Sequence, residues 1–190
     1  MSSIATNPAR AAEESWLTRY YLSRAAFSVA WVAVALTLGL HQAGLGAVLL
    51  VIYPLWDATA NYLDATRNGG LARSRTQAIN IFVSLATTLA VLIALPMGLG
   101  AVLAVFGVWA ILSGLLQLGT AIRRWKSGAQ WAMVLSGAQS ALAGAFFVVQ
   151  AQQAVPMVIP TIAGYAGFGA IYFLISAIWL IAGKRLRKQE

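Results

Sequence analysis

Charged residues are absent from two long blocks of this chain, and their absence constrains the fold more than any other feature. The blocks run from Thr76 to Ile122 and from Ser127 to Gly183, and neither contains Asp, Glu, Lys or Arg. A helix that spans a bilayer needs about 20 apolar residues, and each block is more than twice that length. Each therefore accommodates two such helices and the turn between them. We expect an all-α integral membrane protein.

Turn-forming residues divide each block into two helices. Residues 96–98 read Pro-Met-Gly in the first block, and residues 150–153 with Pro156 interrupt the second. A third charge-free stretch, Ala25 to Trp56, is too short for two full spans but has a turn signal at 41–44, so its two helices must extend into charged flanks. The sequence predicts six transmembrane helices, over residues 20–40, 43–64, 76–95, 98–122, 130–150 and 156–182.

The composition agrees with a membrane location. Hydrophobic residues make up 60% of the 190 and charged residues 9%, whereas a soluble domain carries about 25% charged residues. The net charge of +8 would indicate nucleic-acid binding in a soluble protein, but the apolar bulk argues against that interpretation. The expected partner is the lipid bilayer, with no nucleic acid.

Lys and Arg are confined to alternate connections. All 13 fall in the amino-terminal segment, the second connection, the fourth connection or the carboxyl-terminal tail: Arg10, Arg19, Arg24, Arg67, Arg73, Arg75, Arg123, Arg124, Lys126, Lys184, Arg185, Arg187 and Lys188. Basic residues stay on the cytoplasmic side of membrane proteins, so both termini are predicted to be cytoplasmic. Residues 1–19 form a cytoplasmic or interfacial segment, 20–183 the transmembrane domain and 184–190 a basic tail.

Recurring residues indicate that the helices form three copies of a two-helix hairpin. Ser28, Ser84 and Ser140 are equally spaced along the chain, and the run at 44–49 recurs unchanged at 98–103. Each unit contains two spans, so all copies insert in the same direction as parallel repeats. The predicted repeats cover about 20–67, 76–124 and 130–184.

Two segments of the second and third hairpins resemble the short repeat of HdeD-like membrane proteins. They are Ser113 to Arg124, which ends in a basic pair, and Leu135 to Gly144, which is rich in small residues; Gly167 to Arg187 is similar to the closing helix of that family. The resemblance extends over residues 20–187 and is best from residue 98 onward. It implies repeated helical hairpins and a setting in bacterial acid or stress resistance, but no reaction.

The first hairpin departs from the family pattern by carrying Arg24, Asp57 and Asn61 in mostly apolar surroundings. A charge at the centre of a membrane helix costs about 2.5–3.5 kcal/mol, so such residues face the bundle interior and pair. Arg24 lies about one turn and Asp57 about two turns from the cytoplasmic side, within reach of a long Arg side chain. An ion or proton relay is one interpretation; a structural pair, or Arg24 extending to the interface, is the other.

Polar residues continue along the same helix faces in a recurring pattern. Asp57, Asn61 and Asp64 are spaced i, i+4, i+7, and Ser113, Gln117 and Thr120 repeat that spacing at the offset that separates the three serines. The predicted polar cluster consists of Arg24, Ser28, Asp57, Asn61, Asn80, Ser84, Ser113 and Gln117. These residues either converge on a polar cavity open to the cytoplasm or make hydrogen bonds between helices.

Small residues at four-residue spacing predict close helix packing, with a homodimer interface as the alternative. The candidates are Ser136, Ser140, Gly144, Ala163 and Gly167.

The sequence offers little for catalysis. It has no cysteine and one histidine, His41, and contains no nucleophile elbow, phosphate loop or zinc-protease motif. We expect no catalytic residue, metal site or cofactor, and hence a non-enzymatic inner-membrane protein of envelope or acid-stress homeostasis. The alternatives are a small-solute or proton transporter or channel that uses Arg24, Asp57 and Asn61, and an accessory subunit. Besides the bilayer, the expected protein partner is a second copy of this chain or a larger membrane complex.

Overall fold

The computed structural model describes residues 8–123, 131–153 and 157–186, and all regular secondary structure in these ranges is helical. The all-α prediction is therefore confirmed. The six α-helices are α1 (Pro8–Val34), α2 (Ala43–Arg67), α3 (Arg75–Ala94), α4 (Leu99–Arg123), α5 (Trp131–Gln150) and α6 (Val158–Leu186). A π-helical segment, Ala35–Gly39, follows α1, and a 3-10 segment, Leu95–Met97, follows α3.

The first helix differs most from its predicted bounds. It begins at Pro8, whereas the sequence placed the first span at 20–40 behind a separate segment. Residues 8–20 contain no breaker after the proline and are rich in Ala, Glu and Arg, which favour helix. Proline itself suits the first turn, so α1 runs through the expected boundary without interruption.

The remaining helices lie close to their predicted bounds, and the turns explain why. Asn68 ends α2 by donating from Nδ2 to the carbonyl oxygen of Asp64, 2.8 Å away. Gly98 lies between α3 and α4 with φ of +110°, a conformation that favours glycine. Residues 151–153 form the turn after α5, while Pro156 lies outside the described residues.

The exposure of α3 is the reverse of that in a water-soluble helix. Phe82, Leu89 and Ile93 are 73%, 61% and 67% exposed, whereas Ser84 and Thr88 are buried. Apolar side chains on the outside and small polar ones inside are expected of a helix surrounded by lipid. Among the described residues, five helical stretches are long and apolar enough to cross a membrane: Ala12–Gly39, Ala43–Arg67, Arg75–Met97, Leu99–Gly119 and Val158–Leu186. The apolar part described for α5, Val134–Gln150, is shorter.

Helices α4 and α5 meet along a series of glycines, called the glycine seam below. Its members are Gly100, Gly107 and Gly114 on α4, and Gly137 and Gly144 on α5. A Cβ added at Gly114 would lie 2.5 Å from the carbonyl oxygen of Gly137, and one at Gly107 would lie 2.8 Å from that of Gly144. The seven-residue spacing keeps these glycines on one face, so the two backbones approach directly.

The chain divides into two compact units. One comprises Met1–Ala30 with Ala166–Glu190, and the other Trp31–Tyr165. In the first, the rings of Tyr21 and Phe173 stack with centroids 6.2 Å apart, and Lys184 Nζ donates to Ser15 Oγ at 3.1 Å. The second unit contains the whole of α2 to α5 and most of the predicted polar residues.

Candidate functional site

The carboxylate of Asp57 lies near the middle of α2 and accepts two side-chain hydrogen bonds on the same oxygen. Ser84 Oγ, on α3, donates to Oδ2 at 2.9 Å. Asn61 Nδ2, one turn further along α2, donates to Oδ2 at 3.1 Å and to the Asp57 carbonyl oxygen at 2.8 Å. One donor therefore comes from the same helix and one from its neighbour, which fixes the carboxylate between α2 and α3.

A third helix extends this arrangement. Trp109 Nε1, on α4, donates to Ser84 Oγ at 3.1 Å, and both side chains are buried. An indole N–H only donates, a hydroxyl donates and accepts, and an ionised carboxylate only accepts. The chain of hydrogen bonds thus has one direction, from Trp109 through Ser84 to Asp57. We call Asp57, Asn61, Ser84 and Trp109 the Asp57 site.

Towards the end of α2, a second acid is held in a similar way. Asp64 Oδ1 accepts from Asn68 Nδ2 at 3.0 Å, and Asp64 Oδ2 accepts from Gln77 Nε2, on α3, at 3.1 Å. Polar side chains therefore connect α2 and α3 at two levels. We call this contact the polar seam: Asp57, Asn61 and Asp64 on α2, with Gln77, Asn80 and Ser84 on α3.

The hydrogen bonds define which residues of the antiparallel helices face each other. Asp57 pairs with Ser84 and Asp64 with Gln77, so Asn61 and Asn80 share the level between them. On the other side of α3, Ser84 pairs with Trp109. Asn80 is four residues before Ser84 on α3, and Ser113 is four residues after Trp109 on α4. Because α3 and α4 are antiparallel, these two residues lie at the same level, one turn from the Ser84–Trp109 hydrogen bond.

Asn80 and Ser113 both present a buried oxygen at this level. Asn80 Oδ1 and Ser113 Oγ are closed off from solvent, and neither has a hydrogen-bond partner in the part of the chain that the structure describes. Buried polar atoms in proteins almost always have a partner, from protein or from ordered water. The pair therefore marks a place where the packing leaves hydrogen-bonding capacity unused.

Aromatic rings pack around Trp109, the member of the Asp57 site on α4. The ring centroids of Tyr53 and Trp109 are 5.9 Å apart, and those of Trp109 and Tyr165 are 6.1 Å apart. Both pairs meet edge to face, which suits the ring quadrupoles. Trp31 packs on Tyr53 with centroids 4.9 Å apart, and its Nε1 donates to the Leu49 carbonyl oxygen at 2.8 Å.

A second polar contact occurs at Ser140, which follows Ser84 at the same interval that separates Ser28 from Ser84. Ser140 Oγ donates to the Ala110 carbonyl oxygen at 2.9 Å, so the Tyr165 hydroxyl, 2.8 Å away, donates to Ser140. The offset from Ser84 to Ser140 is the same as that from Trp109 to Tyr165. The sequence analysis missed the aromatic members, although Tyr53, Trp109 and Tyr165 carry the spacing that identified the serines.

Arg24 belongs to the other unit. Its Nη1 donates to the Tyr20 hydroxyl at 3.0 Å, and its guanidinium carbon lies 4.5 Å from the ring centroid of Phe173. A cation over an aromatic face is stabilised by the ring quadrupole. Because Arg24 and Asp57 are in different units, their pairing stays a prediction. Ser28 is buried, and Gln117 is half-buried on α4.

The residues predicted to pack helices divide into two groups. Ser140, Gly144 and Ala163 are buried, and Ser136 is half-buried. Gly167 differs, since a Cβ added there meets no atom of the described residues within 4 Å. At Gly167 the described residues therefore show no close approach, and the homodimer interface at this position stays a prediction, whereas Gly144 meets the backbone of α4 in the glycine seam.

Within the described residues, no group of three or more His, Asp or Glu side chains is placed to hold a metal ion. The basic residues Arg124, Lys126, Arg187 and Lys188 and the aromatic Trp125 lie outside the described residues.

Comparison of the chain with protein-family models, curated proteins and solved structures finds no match. Function is therefore inferred from the geometry of the Asp57 site.

Proposed function

We propose that this chain is a non-enzymatic, six-span inner-membrane protein that takes up and releases a proton at Asp57, as a small transporter or channel. The observation that carries the proposal is the carboxylate of Asp57, which is held near mid-helix by donors from two helices. Membrane proteins keep such groups at a cost, and by default they mark ion or proton pathways.

The depth of Asp57 supports this role. Asp57 is ten residues before the end of α2 at Arg67, and at 1.5 Å per residue this is about 15 Å. The hydrocarbon core of a bilayer is about 30 Å thick, so a residue two to three turns inside the helix end lies well within it. Protonation removes the charge there, and with it most of the cost of keeping the carboxyl group in lipid.

Ser84 is suited to follow the protonation state of Asp57. With Asp57 ionised, the Ser84 hydroxyl donates to Oδ2 while its oxygen accepts from Trp109. A proton on Oδ2 makes that oxygen a donor. Ser84 Oγ then accepts hydrogen bonds from Asp57 Oδ2 and Trp109 Nε1 on its two lone pairs, and the hydroxyl hydrogen of Ser84 rotates away from Asp57. A single hydroxyl rotation thus accommodates both states without moving a helix.

We further propose three parallel hairpin repeats with both termini in the cytoplasm. The buried, equally spaced Ser28, Ser84 and Ser140 support the repeat, as do the similar distances from Trp109 to Tyr53 and Tyr165. The positions of the basic residues support the orientation. The HdeD-like resemblance supplies a setting, acid or envelope stress in a bacterial inner membrane, where a proton-binding site has an evident use.

Proton flux in proteoliposomes tests the proposal. Purified protein is reconstituted with a trapped pH-sensitive dye, and flux is driven by an imposed membrane potential. We expect Asp57→Asn to reduce flux to the level of protein-free vesicles. Asp64→Asn is the matched control, because it neutralises an acid on the same helix that likewise accepts two side-chain hydrogen bonds, one of them from α3, and it should keep flux within twofold of the wild type.

Equal flux in wild type and Asp57→Asn would contradict the proposal. Such a result, together with co-purification with a larger membrane assembly, would favour the accessory-subunit alternative.

A further inference from the structure

We infer that a water molecule binds between Asn80 and Ser113 and passes protons to Asp57 from the end of the helices at which α2 ends and α3 begins. The inference rests on the proposed function of Asp57. It adds to that function the ligand of a second site and the side from which the proton arrives.

The two buried oxygens carry the inference. Asn80 Oδ1 is an acceptor only, whereas the Ser113 hydroxyl both donates and accepts. Were they within reach, Ser113 would donate to Asn80 directly, but neither atom has a partner among the described residues. The two oxygens therefore do not hydrogen-bond to each other directly. A water molecule, which donates twice and accepts twice, is the smallest group that satisfies both atoms.

The helix register brings this site next to the Asp57 site. Asn80 is four residues before Ser84 on α3, and Ser113 is four residues after Trp109 on α4. Four residues are about 6 Å along a helix, so the water lies one turn from the Ser84–Trp109 hydrogen bond. Asn61 shares its level from α2 and also donates to Asp57 Oδ2.

Water fits this position better than a cation does. Asn80 and Ser113 contribute neutral oxygens, while the carboxylate oxygen Asp57 Oδ2 is one turn away and is already an acceptor for Ser84 and Asn61. A desolvated cation needs more oxygens than these two and a nearby negative charge. A water molecule needs only two to four polar partners.

The proton transfer is balanced as a simple exchange. A proton that arrives from the cytoplasmic end makes the bound water a hydronium. Because Asp57 is one turn away, about 6 Å, a second water molecule bridges the two. One O–H bond of the hydronium breaks as one forms on the second water, one O–H bond of the second water breaks as one forms on the Asp57 carboxylate, and both water molecules remain neutral. Neither Asn80 nor Ser113 changes its covalent state, so both are positioning residues.

Hydrogen exchange at two indole N–H groups tests the water site. Trp109 and Trp31 are matched: each is nearly fully buried and each donates from Nε1 to a protein oxygen. With ¹⁵N-indole labelling in nanodiscs, and each signal assigned from its Trp→Phe variant, we expect Trp109 to exchange at least tenfold faster than Trp31. The double variant Asn80→Leu, Ser113→Ala should slow Trp109 at least tenfold and leave Trp31 unchanged.

Proton flux provides a second readout on the same variant. We expect the Asn80→Leu, Ser113→Ala protein to lose at least nine-tenths of its flux while it keeps the melting temperature of the wild type. Asn80→Leu keeps the branched shape and the number of side-chain heavy atoms, and both substitutions remove an oxygen that has no hydrogen-bond partner among the described residues. Ser113→Ala alone, which is milder, should lose at least half.

Each contrary result has a separate meaning. Slow exchange of Trp109 in the wild type would overturn the water site, as would an exchange rate that depends on sodium or lithium concentration, which would indicate a cation. Full flux in the double variant, with flux abolished by Asp57→Asn, would overturn the proposed route and leave the proposed function intact. Unchanged flux in Asp57→Asn would defeat the proposed function itself.

Discussion

The polar seam and the glycine seam join antiparallel helices by opposite means. Between α2 and α3, side chains meet in hydrogen bonds such as Ser84 to Asp57 and Gln77 to Asp64. Between α4 and α5, side chains are absent where the backbones come closest, at Gly107 with Gly144 and Gly114 with Gly137. The polar seam contains carboxyl groups that can gain or lose a proton, whereas the glycine seam consists of backbone surfaces that do not titrate.

This difference suggests a division of labour within one unit. Hydrogen bonds between membrane helices contribute about 0.6 kcal/mol each on average. The hydrogen bonds of the polar seam are therefore a small gain against the cost of keeping the Asp57 charge inside the membrane. The glycine seam provides continuous van der Waals contact over several turns. We therefore expect stability to depend mainly on the glycine seam and proton binding on the Asp57 site within the polar seam.

The largest expected effect comes from placing a side chain inside the glycine seam. In Gly144→Leu the new Cβ would collide with the carbonyl oxygen of Gly107 and lie 2.7 Å from the backbone nitrogen of Ile111. Backbone atoms cannot turn away as side chains do, so the helices must separate. We expect a loss of about 3 kcal/mol or more of unfolding free energy, measured by unfolding in mixed detergent micelles.

Gly167→Leu is the matched control for this prediction. It makes the same substitution in a helix interior, but the space around Gly167 is open to 4 Å among the described residues. Its stability should stay within about 0.5 kcal/mol of the wild type, as for ordinary surface substitutions. Equal destabilisation by the two substitutions would show that helix propensity, and not the seam, decides the result.

These two glycines also show what the sequence was able to predict. The helices follow from the lengths of charge-free runs and from turn residues, which are local properties of the chain. Whether a glycine touches a neighbouring helix depends on helix rotation and register, which a local pattern does not contain. Gly144 and Gly167 both sit in small-residue patterns, yet of the two only Gly144 meets another backbone among the described residues.

The Asp57 site was predictable to a similar extent. Asp57, Asn61 and Ser84 stand out because polar groups in apolar helices need partners, and the structure brings these three together. Trp109 did not stand out, because an aromatic residue in an apolar helix is equally suited to face lipid. Its equal offsets from Tyr53 and Tyr165, which match the serine spacing, were the one signal of its place in the site.

An intermediate effect is expected when the polar seam loses its central hydroxyl. Ser84→Ala removes a donor from Asp57 and leaves the buried Trp109 Nε1 without its acceptor. A buried donor that loses its partner costs about 1–3 kcal/mol, so we expect a loss near the middle of that range. Ser84→Thr keeps the hydroxyl and should recover part of the loss. Unfolding free energy and Trp109 fluorescence would be measured on both variants.

If the seams divide the work as proposed, Ser84→Ala should also reduce proton flux several-fold, whereas Gly167→Leu should not. Flux at the wild-type level in Ser84→Ala would separate Ser84 from the function of Asp57 and restrict it to a structural role.

The smallest effect is expected at Ser140, the counterpart of Ser84 on the glycine seam. Ser140→Ala removes its hydrogen bond to the Ala110 carbonyl oxygen, but that oxygen remains within α4, where the helix supplies its own donor. The Tyr165 hydroxyl loses an acceptor, but no buried N–H group loses its partner, in contrast to Trp109 in Ser84→Ala. We expect a loss of about 0.6 kcal/mol and unchanged proton flux. A loss of unfolding free energy as large as that of Ser84→Ala would contradict this prediction. It would show that both seams depend equally on their serines, whatever residues hydrogen-bond to each serine.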